Sequence, residues 1–156
     1  MEFEGVWHLK VLVRSGDESD AVSAIKVLRA SISELCSADH NDDEREIAGW
    51  IANKTDLAWK SWVNREDASV YVAEIADEIV GVGMVDQCGE ILLNYVRPDA
   101  RFSGVSKSIL NALEEFARSQ HVHRCFLEST ETAKSFYEKC GYRATSKGNL
   151  NFEKTL

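Results

Sequence analysis

A single proline stands in 156 residues, with only nine glycines, so neither a Pro-rich linker nor a collagen-like repeat is written here. Cysteines number four, at positions 36, 88, 125 and 140, and no two stand at the spacing of a redox pair or a metal knuckle. They read as reduced, mostly core thiols, and neither a structural disulfide nor a metal site is expected. No apolar run approaches the roughly 18 residues of a membrane span. Met1 to Lys10 lacks a basic segment followed by an apolar one, so no signal peptide and no membrane partner are expected, and the location reads as cytoplasmic. Positive charge is scarce. Lys plus Arg total 18 against 26 Asp plus Glu, a formal charge of -8, which argues against nucleic acid as a partner.

What is present suffices for a core. Apolar residues make up 44% of the chain, and a chain of this length reads as one domain over residues 1–156. Leu9 to Arg14 suggests an opening strand. Val22, Ile25, Leu28, Ile32 and Leu35 then recur at three- and four-residue steps, which predicts a helix over Asp20 to Cys36. An acidic run follows, from Asp39 to Glu46, and Ile47, Trp50 and Ile51 mark a second amphipathic helix. A third, short helix carries Leu57, Ala58, Trp62 and Val63.

The period then changes. Val70 to Ala76 and Ile79 to Val85 read as strands joined in a hairpin through Asp77 and Glu78, and Glu90 to Val96 as a third strand ended by Pro98. Val105, Ile109, Leu113 and Phe116 mark a long helix to about Ser119. Arg124 to Glu128 is a strand, Ala133 to Cys140 a helix closed by Gly141, and two short strands flank Lys147-Gly148-Asn149. The order predicts a mixed sheet in which Glu90 to Val96 and Arg124 to Glu128 form the parallel pair.

The stretch from Tyr95 to Ser108 carries the chemistry: a strand, a turn, and a helix start. Backbone N–H groups at such a helix start make an anion site. Gly104 allows close backbone approach, and Ser103 and Ser106 add hydroxyls. Arg97, Arg101 and Lys107 form a basic island in an acidic protein. The stretch reads either as a diphosphate cradle or as an ordinary capped helix with solvated basic residues.

Two motifs in this order resemble the GNAT superfamily of acetyl-CoA-dependent N-acetyltransferases, over nearly the whole chain. The first, R/Q-x-x-G-x-G/A after a strand ending in V-x-P, is matched by Val96, Pro98, Arg101, Gly104 and Ser106. The second, A-x-x-x-Y-E-K-x-G-Y/F, is matched by Ala133, Tyr137, Glu138, Lys139, Gly141 and Tyr142. Ser31 to His40, Trp50 and Asn53-Lys54-Thr55 are similar to one bacterial branch of the family. Three positions depart from the family pattern: Ser106 replaces its second Gly or Ala, Phe102 stands where Gly is common, and Thr130 where Asn is frequent.

The resemblance implies an α+β fold, a mixed, mostly antiparallel sheet of about six to seven strands with helices on both faces. It implies acetyl-CoA as cosubstrate, held by the backbone of Asn94, Tyr95 and Val96, by Arg101, Phe102, Ser103, Gly104, Val105, Ser106 and Lys107, and by Thr130, Ala133 and Tyr137. It gives Tyr137 the place of a general acid near the leaving sulfur, where the residue alone also reads as a core tyrosine. Glu90 holds a strand position that carries a glutamate base in some members; it reads equally as a solvated carboxylate. Asp39, His40 and Trp50 fall where the family binds its acceptor, and three tryptophans (Trp50, Trp59 and Trp62) could wall that pocket or belong to the core. The expected reaction is direct acetyl transfer to a primary amine of a small molecule. Left open are a non-catalytic acetyl-CoA sensor, a protein or tRNA-linked acceptor, and a homodimer through edge strands.

Overall fold

The computed structural model describes residues 10–35 and 44–156. In chain order the elements are β1 (Leu12–Ser15), α1 (Ala21–Leu35), α2 (Glu44–Ala52), α3 (Asp56–Val63), β2 (Ala68–Ile75), β3 (Glu78–Asp86) and β4 (Ile91–Val96). Then come α4 (Val105–Ser119), β5 (Arg124–Glu128), α5 (Lys134–Lys139), β6 (Arg143–Ala144) and β7 (Asn151–Thr155). The order matches the sequence expectation, with small shifts. The β2–β3 hairpin turns on Ala76 and Asp77, one residue earlier than expected, because Ile75 pairs with Glu78. Both turn residues have positive φ (50° and 66°), the geometry that matches strand twist in a two-residue hairpin loop.

β1 to β4 form an antiparallel sheet in the order β1-β2-β3-β4, and β5-β7-β6 form a second one, also antiparallel. The expected parallel pairing of β4 with β5 is reduced to one bridge, Glu90 with Phe126. The cause lies in β4. Met84 pairs with Leu93 and Val85 with Ile91, so Leu92 is an unpaired extra residue, a bulge that bends the strand away from its neighbour.

Helices cover both faces of the first sheet. On one face Ala24, Ile25 and Leu28 of α1 and Trp59 of α3 pack on Val70, Val72, Val82, Met84 and Leu93. On the other, Val105, Ile109, Leu110 and Leu113 of α4 join Ala73, Val80, Val96 and the β5–β7 residues Cys125, Leu127 and Phe152. Gly81 brings α4 close to β3: a Cβ there would lie 2.6 Å from Val105 and 2.7 Å from Ile109. That packing seats the α4 N-terminus beside the end of β4.

One buried charge pins β1 to the start of α1. Asp20, 7% exposed, accepts from both terminal nitrogens of Arg14 at 2.9 and 2.8 Å, and from the Asp17 amide at 2.9 Å. The guanidinium holds the Asp20 carboxyl below the usual carboxylate range. The folded state therefore binds this proton less readily than the unfolded chain, whose Asp titrates near pH 4. The stabilisation is complete above about pH 4 and is lost as pH falls through the lower, folded value. Thermal melts between neutral pH and pH 3 should show a steeper acid loss for the wild type than for Asp20→Asn. Parallel curves would remove Asp20 from the acid response.

Candidate active site

The bulge leaves half of β4 without a partner. The Arg97 amide donates to the Val80 carbonyl at 2.7 Å. Strand pairing alternates with period two, so Tyr95 and Leu93 turn their backbone to β3, and Asn94 and Val96 turn theirs toward β5. Near the bridge the Phe126 amide reaches the Gly89 carbonyl at 3.0 Å; beyond it the strands diverge. A cavity of about 480 Å³ occupies the gap, bounded by β4, by Leu127 and Glu128, by the loop before α4, and by Tyr137.

The wide end of the gap meets the α4 N-terminus. A 3-10 turn over Pro98–Ala100 leads into Phe102 with φ +62° and Gly104 with φ +80°. Glycine takes that conformation freely, whereas at Phe102 it costs about 1 kcal/mol. None of the amides from Phe102 to Lys107 reaches a backbone carbonyl among the described residues; the first that does is Ser108, to Gly104 at 3.0 Å. These unmet donors stand at the positive end of a helix that begins with no side-chain cap. A Cβ on Gly104 would meet nothing within 4 Å, so the approach to them is open. Arg101 and Lys107 line the same cavity. Arg97 does not; it pairs with Asp99 at 2.5 Å and Glu78 at 3.5 Å.

Tyr137 closes one side. It sits on α5, 6% exposed, edge-on to Phe136 (centroids 5.1 Å apart) and to Tyr142 (5.7 Å). Tyr142 is itself held, its hydroxyl donating to the buried Glu114 at 2.7 Å, and Glu114 also takes Lys154 at 3.1 Å. Burial pushes the Tyr137 phenol well above its ordinary range, only partly offset by the Asn94 amide, so at neutral pH it is a hydrogen donor. Asn94 reaches toward the Ser106 carbonyl with its Nδ2 (3.5 Å), and its buried Oδ1 has no partner among the described residues. Thr130 accepts from the Ala133 amide at 3.2 Å and so orders the turn into α5, which a short polar side chain can do as well as Asn.

Of the residues expected to hold a cofactor, Asn94, Tyr95, Val96, Arg101, Phe102, Gly104, Val105, Ser106, Lys107, Thr130, Ala133 and Tyr137 line this one cavity; Ser103 shares the loop but lies outside the lining. Glu90 also lies outside it, at the apex where β4 and β5 touch, its amide bonded to Asp86 at 3.0 Å. Trp50, 40% exposed on α2, is not in the lining, and Asp39 and His40 fall outside the described residues. Trp59 is fully buried and packs edge-on against Trp62, so it belongs to the core rather than to a pocket wall. Several lining residues lie outside the expected set, Ser31 and Glu128 among them. Ser31, 2% exposed, comes from α1, where a polar residue three after Leu28 on the apolar face was the available signal. Glu128 is the one carboxylate in the lining among the described residues, legible only as the end of a strand. Among the described residues the free thiols stand apart from the cavity: Cys125 is buried and pushed up to about 11 by that burial, Cys140 is raised for the same reason, and Cys88 is on an exposed turn.

The family described as Acetyltransferase (GNAT) domain matches residues 36–154. No curated protein matches the chain at a significant level. Among solved structures, the PaiA N-acetyltransferase of Thermoplasma acidophilum, in complex with coenzyme A, is similar with a TM-score of 0.83 at 20% identity, over 95% of this chain and 100% of that one. A GCN5-related N-acetyltransferase of Rhodopseudomonas palustris gives 0.85 at 21% identity, over 95% and 98%. Another from Kribbella flavida gives 0.70 at 14% identity, over 94% and 98%. Identities this low carry the fold, and the family match carries the class. The chain belongs to the GNAT acetyltransferase family and is an acyltransferase.

Proposed function

We propose that the gap between β4 and β5 takes acetyl-CoA and that its acetyl group passes directly to a primary amine of a small molecule. The observation that carries this reading is the unpaired β4 edge running into the unmet amides of Phe102 to Lys107, with Tyr137 at its side. The donor set fits the group: amides and two cations for a diphosphate, an open strand edge for an extended amide-bearing arm, and an unpartnered acceptor at Asn94. Bound there, acetyl-CoA supplies an activated thioester.

The chain does the rest. The Asn94 N–H, turned to the gap, donates to the carbonyl oxygen as charge develops. Tyr137 donates its hydroxyl hydrogen to the leaving sulfur. A thiol near 8.5 and a phenol near 10 already make full proton transfer uphill by about 2 kcal/mol in water, and burial widens the gap. Tyr137 therefore acts by hydrogen bonding to the developing thiolate. Among the described residues no thiol lines the cavity, which supports direct attack over an acyl-enzyme. Glu90, at the apex outside the lining, is the candidate base and would act through water, and Glu128 in the lining would draw a cationic amine into the cavity.

Calorimetry with acetyl-CoA tests the cradle. Gly104→Ala should bind about tenfold more weakly, because alanine resists the left-handed conformation the loop needs. The fold should be kept, since the new methyl meets open space. A wild-type protein with no affinity for acetyl-CoA would overturn the reading. A panel of polyamines, amino acids, aminoglycosides and peptide N-termini, scored by release of free CoA, tests the acceptor. Activity confined to protein or tRNA would refute a small amine, and tight binding with no turnover would favour the sensor.

A further inference from the structure

Phe102 carries two unfavourable features at one position. Its φ of +62° lies in the region that side-chain-bearing residues avoid, and its side chain is 95% exposed, more than any other large hydrophobic among the described residues. Packing within the chain accounts for neither. The ring's contact is with the Arg101 guanidinium, 4.9 Å from its centroid. Both residues line the mouth of the cavity, next to the unmet amides that run from Phe102 to Lys107.

We propose that Phe102, with Arg101 stacked on it, is a shelf for the purine base of the nucleotide that the thioester cosubstrate carries. This rests on the acetyl-CoA reading above and adds an aromatic platform to a site of backbone donors, two cations and polar side chains. A flat ring with an open face binds a base by stacking, whatever edge the base presents. The guanidinium supports the ring and places a permanent positive charge where the nucleotide's phosphates run. A ribose alone separates base from diphosphate, so a ring adjoining the diphosphate donors is within reach of the base. The left-handed backbone at Phe102 projects the ring out of the loop and leaves the amides uncovered. A glycine there would relax the loop and lose the shelf.

Calorimetry on Phe102 variants with two ligands tests this: acetyl-CoA, and acetyl-phosphopantetheine, which keeps the thioester and one phosphate but has no base. Phe102→Ala retains the backbone constraint and removes the ring. It should weaken acetyl-CoA about tenfold and leave acetyl-phosphopantetheine within about twofold of wild type. Phe102→Trp should restore acetyl-CoA binding, and Phe102→Leu, apolar but not aromatic, should not. The side chain is exposed, so all three variants should unfold at the wild-type temperature. Equal weakening of both ligands, full acetyl-CoA affinity in Phe102→Ala, or rescue by leucine would overturn the shelf while leaving the cofactor reading standing. Wild-type protein that binds neither ligand would overturn both.

Discussion

Tyr137→Phe should bind acetyl-CoA as tightly as the wild type and turn it over about 100-fold more slowly, the usual weight of one well-placed donor to developing negative charge. The ring, which packs edge-on against Phe136 and Tyr142, is retained. Only the hydroxyl is lost. The result should therefore appear in kcat, with affinity measured by calorimetry unchanged. The pH dependence adds a second check. Burial keeps the Tyr137 phenol protonated well beyond the ordinary range, so its titration contributes no alkaline limb in a standard assay. The variant's kcat profile should have the wild-type shape at a lower level. A limb that vanishes with the hydroxyl, or a turnover number that does not fall, would take Tyr137 out of the role of hydrogen-bond donor to the sulfur.

Trp59→Ala should lower the unfolding temperature by about 10 °C, from an expected loss of roughly 3–5 kcal/mol in a domain of this size. Trp59 is fully buried between α1 and the sheet, and its Nε1 donates to the Asp17 carbonyl at 2.8 Å across the start of α1. Gly16 fits against it so closely that a Cβ there would stand 2.9 Å from the indole. Truncation removes the largest buried side chain of that layer and one of the two hydrogen bonds to the Asp17 carbonyl, which keeps the Asp20 amide at 3.1 Å. Trp59 does not line the cavity, so acetyl-CoA affinity below the transition should be kept. Lost affinity with an unchanged unfolding temperature would return Trp59 to the ligand site. Trp59→Phe should lose clearly less.

Local signals made much of this protein legible. The three- and four-residue spacing of Val105, Ile109 and Leu113 and the β-branched runs on either side of Asp77 depend on neighbours in sequence, so α4, β2 and β3 lie where the pattern put them. The turn from Arg101 to Lys107 was readable for the same reason: Gly104 before a helix start marks a run of free backbone donors within a few residues. Phe102 showed as a departure in the sequence, and its positive φ gives the reason glycine is common at such a position.

What only the tertiary structure decided are the relations between distant segments. A one-residue bulge at Leu92 turns an expected parallel β4–β5 ladder into an open gap, and register between strands is not written in either strand alone. Trp59 and Trp50 look alike as tryptophans on amphipathic helices, yet α3 packs on the sheet and buries Trp59, whereas Trp50 on α2 stays 40% exposed. Glu90 and Glu128 are both strand-end glutamates; the splay puts Glu128 in the cavity and leaves Glu90 at the apex. Ser31 joins the site from 63 positions before Asn94 in the chain only because α1 packs across the sheet that carries β4. The sequence by itself determined the elements and the glycine-containing turn into α4, since both follow from short-range periodicity and backbone chemistry. The cleft, its lining and the burial that sets the Tyr137 phenol come from long-range packing, which no local pattern encodes.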